Sequence, residues 1–199
     1  QKIAIQGELG SYSHLAANEI YDNAEVIPCK TFDQALRLTK ENEEIKAVIP
    51  IENSIAGRVA DVHHLLPKYK LKIIGESFHK VSHCLIILKG NKLENIKYIK
   101  SHSHAIGQCH DKINKYKFMP IIETDTAGAA KKLSEEKNMQ SAVIASELAA
   151  KIYDLEVIEK NFEDISGNTT RFLIMSSDNK DFTTIDKEKK YITTCIFKL

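Results

Sequence analysis

The chain has 199 residues, 43% of them hydrophobic and 28% charged, which is ordinary for a folded protein and sufficient for one large domain or two modest lobes. Its 28 basic and 27 acidic residues nearly cancel, so the sequence lacks the charge excess that favours nucleic acid or a membrane surface. We therefore expect the protein to act on a small molecule, with neither nucleic acid nor a membrane as its partner.

No run of the sequence has the length and apolar character of a membrane span. The most apolar run, residues 84–88, is short enough to be a buried strand. The chain opens directly on the strand-like residues 2–5, so we expect no secretion signal and a cytoplasmic location. The four cysteines, at positions 29, 84, 109 and 195, form no C-x-x-C pair, which favours reduced thiols packed as small hydrophobes.

Short apolar strands alternate with helical patterns along the chain. A capping box of Thr31 and Gln34 opens one helix, and Pro50 and Pro67 are expected to end a strand and a helix. We predict strands at 3–6, 47–49, 71–75, 84–88, 96–99, 121–123, 142–145, 156–158 and 171–175, and helices at 13–21, from 31, from about 59 to 67, from about 103, at 127–133 and at 147–153. This rhythm predicts an α/β fold with largely parallel sheets that are covered by helices on both faces.

Polar clusters follow strands in both halves of the chain, which favours two lobes over one doubly wound sheet. Ligands of α/β proteins collect beyond the carboxyl ends of strands, so a cleft between two such sheets would bring the clusters together. We expect one lobe from residues 1–78 plus 166–178 and a second from 79–165. Residues 179–199 are expected to form a linker and, over 191–199, the first strand of a further domain.

The first polar cluster spans residues 7–13, between a predicted strand and a predicted helix. Gly7 and Gly10 permit a tight turn, and free N–H groups at the helix start favour an anion. The spacing G-x-x-G-x-x-S lacks the lysine of a phosphate loop and the third glycine of a dinucleotide fingerprint. A capped turn, with Ser11 or Ser13 as N-cap, explains the cluster equally well.

The second cluster is Glu52, Asn53 and Ser54, directly after a buried strand. An acid, an amide and a hydroxyl there indicate a ligand edge, although Ser54 could instead cap a helix. Strand alternation places Asn53 on the side opposite Glu52 and Ser54.

The third cluster surrounds a helix from about residue 103. Ser101 and Gln108 are seven positions apart and are expected to project from one helix face, away from the buried stripe of that helix. Three nearby histidines raise the alternative of a metal site, but no acid stands at helical spacing to complete a triad, so we expect no metal. These histidines are His102, His104 and His110.

The fourth cluster, residues 124–130, places Asp125 as the N-cap of a helix that Thr126 and small residues continue. These small residues permit close packing against a neighbouring helix or an anionic ligand. The fifth cluster is residues 167–172, where alternation points Thr170 and Phe172 one way and Arg171 the other. A hydroxyl beside an aromatic ring suits a cleft for a cyclic substrate, and Arg171 would face away, toward Glu52, as a structural pair.

No cluster proves a function by itself, and no Ser-His-Asp order is compelling. What the clusters share is hydroxyls, amides and helix starts, which implies recognition of a small anion without metal or cofactor. Taken together, in this order and spacing over residues 1–177, they resemble the prephenate dehydratase family. The segments that carry the resemblance are residues 7–13, Glu52-Asn53-Ser54, Ser101-His102 with Gln108-Cys109, residues 124–130 and Thr170-Arg171-Phe172.

The resemblance implies a two-lobed fold like the type II periplasmic-binding proteins, with the active site in the cleft. It implies the loss of carbon dioxide and water from prephenate to give phenylpyruvate, a step toward phenylalanine, with Thr170 and Glu52 as catalytic residues. Substrate binding is expected from Ser11, Ser13, Asn53, Ser54, Ser101, Gln108, Thr126, Arg171 and Phe172. Members of this family usually continue into a regulatory domain of the ACT type. Residues 191–199 resemble the first strand of that domain, and we expect the rest of it to be missing or truncated in this sequence.

Two alternatives remain open at the level of sequence. Arogenate dehydratase differs only in an amino group that replaces the side-chain keto group of the substrate. A binding module without turnover would share the implied fold. The strand at 191–199 needs a partner, which favours a homodimer or a higher homo-oligomer in which it pairs with a neighbouring chain.

Overall fold

The computed structural model describes residues 1–178, in which strands and helices alternate. The strands are β1 (Lys2–Gln6), β2 (Glu25–Cys29), β3 (Ile45–Asn53), β4 (Gly57–Arg58), β5 (Lys72–Lys80), β6 (Cys84–Leu88), β7 (Tyr98–Ser101), β8 (Met119–Ile122), β9 (Ser141–Ala145), β10 (Leu155–Lys160) and β11 (Thr169–Ser176). The α-helices are α1 (Tyr12–Ile20), α2 (Phe32–Glu41), α3 (Ala60–Tyr69), α4 (Ser103–Gln108), α5 (His110–Tyr116), α6 (Thr126–Glu136) and α7 (Glu147–Ile152), and a 3₁₀ turn covers Leu93–Asn95. The predicted linker and the strand at 191–199 lie outside the described residues.

Two sheets with the same strand order make up the fold. The first has the order β2-β1-β3-β11-β5, with β4 paired to β3, and the second has the order β8-β7-β9-β6-β10. In each sheet four of these five strands run in one direction, and the antiparallel strand is the one that has just crossed from the other sheet, β11 or β6. The prediction of a two-lobed α/β fold with largely parallel sheets is confirmed.

Apolar side chains cover both faces of each sheet. Around the first sheet, one core contains Leu36 of α2 and Ile49 of β3, while the opposite core contains Ile5 and Phe172. The second sheet also has two cores, one under α6 and α7 and one under α4 and α5. The strands of the first sheet fall within residues 2–80 and 169–176, and those of the second within 84–160. The exact lobe boundaries, at 78/79 and 165/166, stay a prediction.

Short polar side chains begin several helices, as the sequence pattern predicts. The Thr31 hydroxyl accepts from the Gln34 N–H at 3.1 Å, and the Gln34 side chain accepts from the Lys30 N–H at 2.9 Å. Asp125 accepts from the Gly128 N–H at 2.6 Å at the start of α6. These caps satisfy N–H groups that have no partner within the helix.

The prolines are where the predicted boundaries are wrong. Pro50 does not end β3, because it lies beyond the residues of β3 that pair with β1 and beside a bulge in the pairing with β11, so no ladder bond requires its N–H. Pro67 lies in the last turn of α3 rather than after it. The sequence prediction also omitted β2, an edge strand that tolerates Pro28.

The predicted helix after β7 is interrupted, and Ser101 is not on it. Ser101 ends β7, and the helical segment breaks into α4 and α5 at Cys109. The expected helix face shared by Ser101 and Gln108 is therefore wrong.

The cysteines that the structure describes are buried free thiols, as predicted. Burial raises the pKa of Cys84 to about 11, so this thiol stays protonated at neutral pH. Cys195 lies outside the described residues. Within residues 1–178 no group of three metal-binding side chains converges, and no helix has the length and apolar character needed to cross a membrane.

The loop between β1 and α1 packs directly on α7 of the second lobe. The Gly10 carbonyl accepts from the Ser146 hydroxyl, and the Leu9 carbonyl accepts from the Tyr153 hydroxyl at 2.9 Å. A Cβ on Gly10 would lie 2.6 Å from the Ala149 Cα, so only glycine permits this approach. The backbone of Gly10 also has a φ of +87°, in the left-handed region. Gly10 therefore allows this loop to pack closely against the second lobe.

Gly10→Ala should lower the free energy of unfolding by at least about 2 kcal/mol more than Gly90→Ala does. Both glycines have positive φ, +87° and +73°, so both variants carry the backbone strain. A Cβ at Gly90 would meet nothing within 4 Å, so only the Gly10 variant adds a collision with α7. Urea unfolding of the two variants and the parent measures the difference. Equal losses would show that the close approach to Ala149 contributes no stability.

Candidate active site

A cavity of about 620 Å³ lies between the two lobes. Asn53 at the end of β3 and Thr170 near the start of β11 line it from the first lobe. Gln108 at the end of α4 and Thr126 at the start of α6 line it from the second. A cavity of this size suits a small molecule, and the structure thus brings four of the predicted site residues together.

Asn53 holds the Thr170 hydroxyl in a defined orientation. Its Nδ2 donates to Thr170 Oγ1 at 2.9 Å and to Asn168 Oδ1 at 2.6 Å. Within residues 1–178 no acceptor lies within hydrogen-bonding distance of the Thr170 hydroxyl hydrogen. Thr170 can therefore accept from Asn53 and still donate a hydrogen bond into the cavity.

Gln108 is held between Asn168 and His83. Its Oε1 accepts from Asn168 Nδ2 at 2.8 Å and lies 3.0 Å from His83 Nε2. Among the described residues nothing accepts from the Gln108 Nε2 group, which is left as a donor on the cavity wall. The contacts from Asn53 to His83 run from the first lobe to the second.

Tyr12 and His83 form a hydrogen-bonded pair beside Gln108, and both line the cavity. His83 is buried and Tyr12 is partly buried. The Tyr12 hydroxyl lies 2.7 Å from His83 Nδ1 and 2.9 Å from the Ser82 carbonyl. Burial lowers the pKa of His83, and the hydrogen bond to Gln108 and the charge of Glu163 oppose that shift in part. Burial raises the pKa of Tyr12 well above its ordinary value. At neutral pH both side chains are therefore uncharged.

The cavity offers hydroxyl, amide and N–H donors rather than a cluster of cations. Among the described residues that line it, Arg58 is the only lysine or arginine. Asp125 caps α6, so that helix starts at the cavity wall with Thr126. The first N–H groups of a helix and its dipole favour an anion. The Asp125 carboxylate already accepts from the Gly128 N–H, and Asp61 is a second acid in the lining, so the donors for a ligand carboxylate are the helix N–H groups that Asp125 does not use and the neutral side chains of the wall.

Glu52 and Ser54 lie outside this wall. The Glu52 side chain is exposed, and its cross-strand neighbours are Arg58 and Arg171, on the face of the sheet opposite Asn53. The Ser54 hydroxyl accepts from the Thr169 N–H at 2.9 Å and so fastens β11 to the end of β3. Ser54 caps no helix, because a turn and β4 follow it. The structure does not bring either side chain to the cavity.

Three serines lie away from the cavity. Ser11 is the N-cap of α1 and accepts from the His14 N–H at 3.4 Å. Ser13 is buried within α1. The Ser101 hydroxyl is fully buried and donates to the Ile144 carbonyl of β9 at 2.6 Å. Their predicted contact with a substrate has no support in the geometry.

The expectations for Arg171 and Phe172 require correction. Arg171 pairs with Glu76 at 2.7 Å, not with Glu52, and its guanidinium lies 6.0 Å from the Phe78 ring centroid. Phe172 is 1% exposed and packs in the core under α1 rather than against the cavity. Phe172 lies two strand positions, roughly 6–7 Å, beyond Thr170. Thr170 is therefore at the end of the sheet, whereas the Phe172 ring lies where α1 covers the sheet.

The sequence prediction missed three further side chains of the cavity wall, those of Asn168, Tyr12 and His83. Asn168 and Tyr12 lie within predicted clusters, but neither they nor His83 were named as site residues. Asn168 and His83 are each 3% exposed. A buried amide and a buried histidine are required to find polar partners, but the partners are more than 20 positions away in sequence. Only the folded chain reveals them.

The fold and the cavity define a two-lobed α/β protein with a small-molecule site between its lobes. The family model described as "Prephenate dehydratase" matches residues 3–180. The chain therefore belongs to the prephenate dehydratase family.

Individual relatives are consistent with this assignment. The chain is 37% identical over 197 residues to a "bifunctional N-acyl-homoserine lactone acylase/prephenate dehydratase" of Komagataeibacter europaeus, covering 99% of this chain and 69% of that protein. It is 38% identical over 175 residues to "arogenate dehydratase/prephenate dehydratase 2, chloroplastic" of Arabidopsis thaliana, covering 88% and 46%. The crystal structure of the prephenate dehydratase of Arthrobacter aurescens with L-Phe matches at a TM-score of 0.81 and 27% identity, covering 88% of this chain and 60% of that one. The chain thus spans about half to two thirds of the length of these proteins.

The His83 environment predicts a loss of stability in acid. Because its pKa is lowered by folding, the unfolded chain binds a proton at His83 that the folded chain excludes, and stability falls as the pH drops below about 6.5. His83→Gln removes this proton linkage, so the variant should lose less stability than the parent between about pH 7.5 and 5.5. Urea unfolding at both pH values measures this. His14 and His102, whose pKa values burial also lowers, are present in both proteins, so their contributions cancel. An equal loss in both proteins would contradict a lowered pKa at His83.

Proposed function

We propose that this chain is a carbon–oxygen lyase that converts prephenate to phenylpyruvate with loss of carbon dioxide and water, a step toward phenylalanine. One observation carries the proposal: Asn53 holds the Thr170 hydroxyl so that its hydrogen is available to the cavity. Membership in the prephenate dehydratase family and the names of the relatives support it. Prephenate is a small molecule that a cavity of about 620 Å³ can hold.

The chemistry requires a donor at the leaving oxygen and a grip on the side-chain carboxylate. The ring hydroxyl leaves as the ring carboxylate fragments, and aromatisation supplies the driving force. The start of α6 at Thr126 and the Gln108 amide are suitable donors to the carboxylate that stays. The carboxylate that departs should not be held tightly, because that would lower the ground state more than the transition state.

Thr170 is our candidate for the donor at the leaving hydroxyl. A threonine hydroxyl is too weak an acid to transfer its proton unaided, so we propose that Thr170 donates a hydrogen bond while water in the open cavity supplies the proton. A catalytic role for Glu52, which the family resemblance implies, requires its carboxylate to act from the other face of β3. Thr170 is therefore given the direct contact with substrate.

Thr170→Ala should lower kcat about a hundredfold or more, because it removes a hydrogen bond that strengthens as the leaving oxygen gains charge. Thr170→Ser keeps the hydroxyl and should retain most of kcat. The measurement is the rate of phenylpyruvate formation from prephenate by each variant. A Thr170→Ala variant with the activity of the parent would contradict the assignment of Thr170 as the donor to the leaving hydroxyl.

Glu52→Gln provides the contrast on the other face of β3. If Thr170 alone contacts the leaving group, this variant should keep kcat within a few-fold of the parent value, as expected of a surface substitution. A loss as large as that of Thr170→Ala would instead support a catalytic Glu52.

Arogenate dehydratase is the alternative, and the names of relatives include both activities. The two substrates differ only at the side-chain carbon that carries a keto or an amino group. Measuring kcat/KM on prephenate and on arogenate decides between them, and our proposal expects the higher value on prephenate. Binding of either compound without turnover would identify a binding module instead.

We also propose that the protein works in the cytoplasm as a homodimer or higher homo-oligomer. The alternation of apolar and polar residues over 191–199 of the sequence motivates the oligomer, because a strand formed there would need a partner strand. Light scattering after size-exclusion chromatography measures the mass, and a monomer would contradict this. Cell fractionation tests the location.

A further inference from the structure

The hydrogen bonds along the cavity wall have a direction that the backbone determines. Asn53 Oδ1 accepts from the N–H groups of Ile55 at 3.0 Å and Ala56 at 2.8 Å. A backbone N–H can only donate, so the oxygen of the Asn53 amide must face these two groups and its nitrogen must face Asn168 and Thr170. The orientation of this one amide follows from the turn after β3.

The orientation of the Asn53 amide determines the orientation of the next two amides, those of Asn168 and Gln108. We call these three side chains the amide chain. Asn53 Nδ2 donates to Asn168 Oδ1, so Asn168 Nδ2 must point the other way, at Gln108 Oε1. Gln108 Oε1 is therefore an acceptor only. The contact of 3.0 Å between this oxygen and His83 Nε2 then requires a hydrogen on Nε2.

Tyr12 is the last member of this series of hydrogen bonds, next to His83. A neutral imidazole with its hydrogen on Nε2 has a lone pair on Nδ1, and the Tyr12 hydroxyl lies 2.7 Å from that atom. Tyr12 therefore donates to His83, although the Ser82 carbonyl at 2.9 Å is a second acceptor within its reach. Burial of His83, at 3% exposure, favours the neutral ring.

We propose that Tyr12 and His83 are positioning residues that hold Gln108 with its Nε2 hydrogens toward the cavity. Without the Nε2–H of His83, the Gln108 amide would lose one of the two donors that fix its oxygen and could turn that oxygen toward the substrate. When His83 donates to Gln108, the Gln108 amide nitrogen faces the cavity. Thr170, which Asn53 holds at the other end of the amide chain, presents its hydroxyl there as well, so both are donors to an anionic substrate. The consequence for catalysis rests on the proposed function, whereas the hydrogen-bond direction does not.

Nitrogen NMR of the histidine rings in the full chain tests the direction. The resonances of His83 are identified by their absence in His83→Gln. We expect a protonated Nε2 and an unprotonated Nδ1 in the parent protein at neutral pH, and a mixture of ring forms in Tyr12→Phe. A hydrogen on Nδ1 in the parent, alone or together with one on Nε2, would overturn the proposal.

Kinetics test the positioning role. His83→Leu removes the donor to Gln108 and should lower kcat/KM about tenfold, whereas His83→Gln, whose Nε2 can reach the same oxygen, should stay within about threefold. Tyr12→Phe should fall between these variants, and Tyr116→Phe, which loses a hydroxyl bonded to Glu159 away from the cavity, should match the parent. Equal activity of His83→Leu and His83→Gln would overturn the role.

The two measurements also separate this inference from the proposed function. If the parent turns over neither prephenate nor arogenate but the NMR pattern is as expected, the function is wrong and the hydrogen-bond direction stands. If the parent is active but His83 carries its hydrogen on Nδ1, the function stands and the positioning role is wrong.

Discussion

The cavity depends on two backbone N–H groups, those of Ile55 and Ala56, that donate to the side-chain oxygen of Asn53. They fix which end of that amide is the donor, and every subsequent polar contact from Thr170 to Tyr12 takes its direction from this choice. An unpaired buried donor or acceptor costs about 1–3 kcal/mol, so reversing one member would leave mismatched pairs along the whole row. A turn in the backbone therefore determines what the cavity presents to a ligand.

Contacts between the lobes keep these side chains within hydrogen-bonding distance of one another. Asn168 lies on the segment that returns to the first sheet, and His83 lies on the segment that leaves it, so the row joins the two crossings of the chain. The packing of Gly10 on Ala149 provides a second contact between the lobes, just before the start of α1. A site built from both lobes requires such fixed contacts, because a displacement of one lobe would separate Gln108 from Asn168.

The elements could largely be predicted from the sequence, and the errors have a common cause. Local signals such as the Thr31 cap depend on neighbours in the sequence, and they predicted helix starts correctly. Pro50 was misjudged because its effect depends on whether a neighbouring strand needs a hydrogen bond from that position, which is a property of the sheet.

The site residues also divide into those that local pattern could find and those that it could not. Asn53 and Thr170 stand at strand ends and could be found by pattern, whereas alternation could not show that Phe172 lies two positions too deep for the cavity. Ser101 matched the family pattern, but its hydroxyl is used by the Ile144 carbonyl.

The scarcity of cations around the cavity is consistent with the chemistry proposed for it. A dianionic substrate would bind more tightly to a cluster of arginines, but a cation that holds the departing carboxylate would stabilise the ground state and oppose the loss of carbon dioxide. Neutral donors at fixed positions avoid this conflict, because each can be directed at an oxygen that keeps or gains charge during the reaction. Among the described residues, the amide of Gln108, the hydroxyl of Thr170 and the start of α6 are donors of this kind. Under the proposed function, the amide chain orients neutral donors toward the substrate in addition to joining the two lobes.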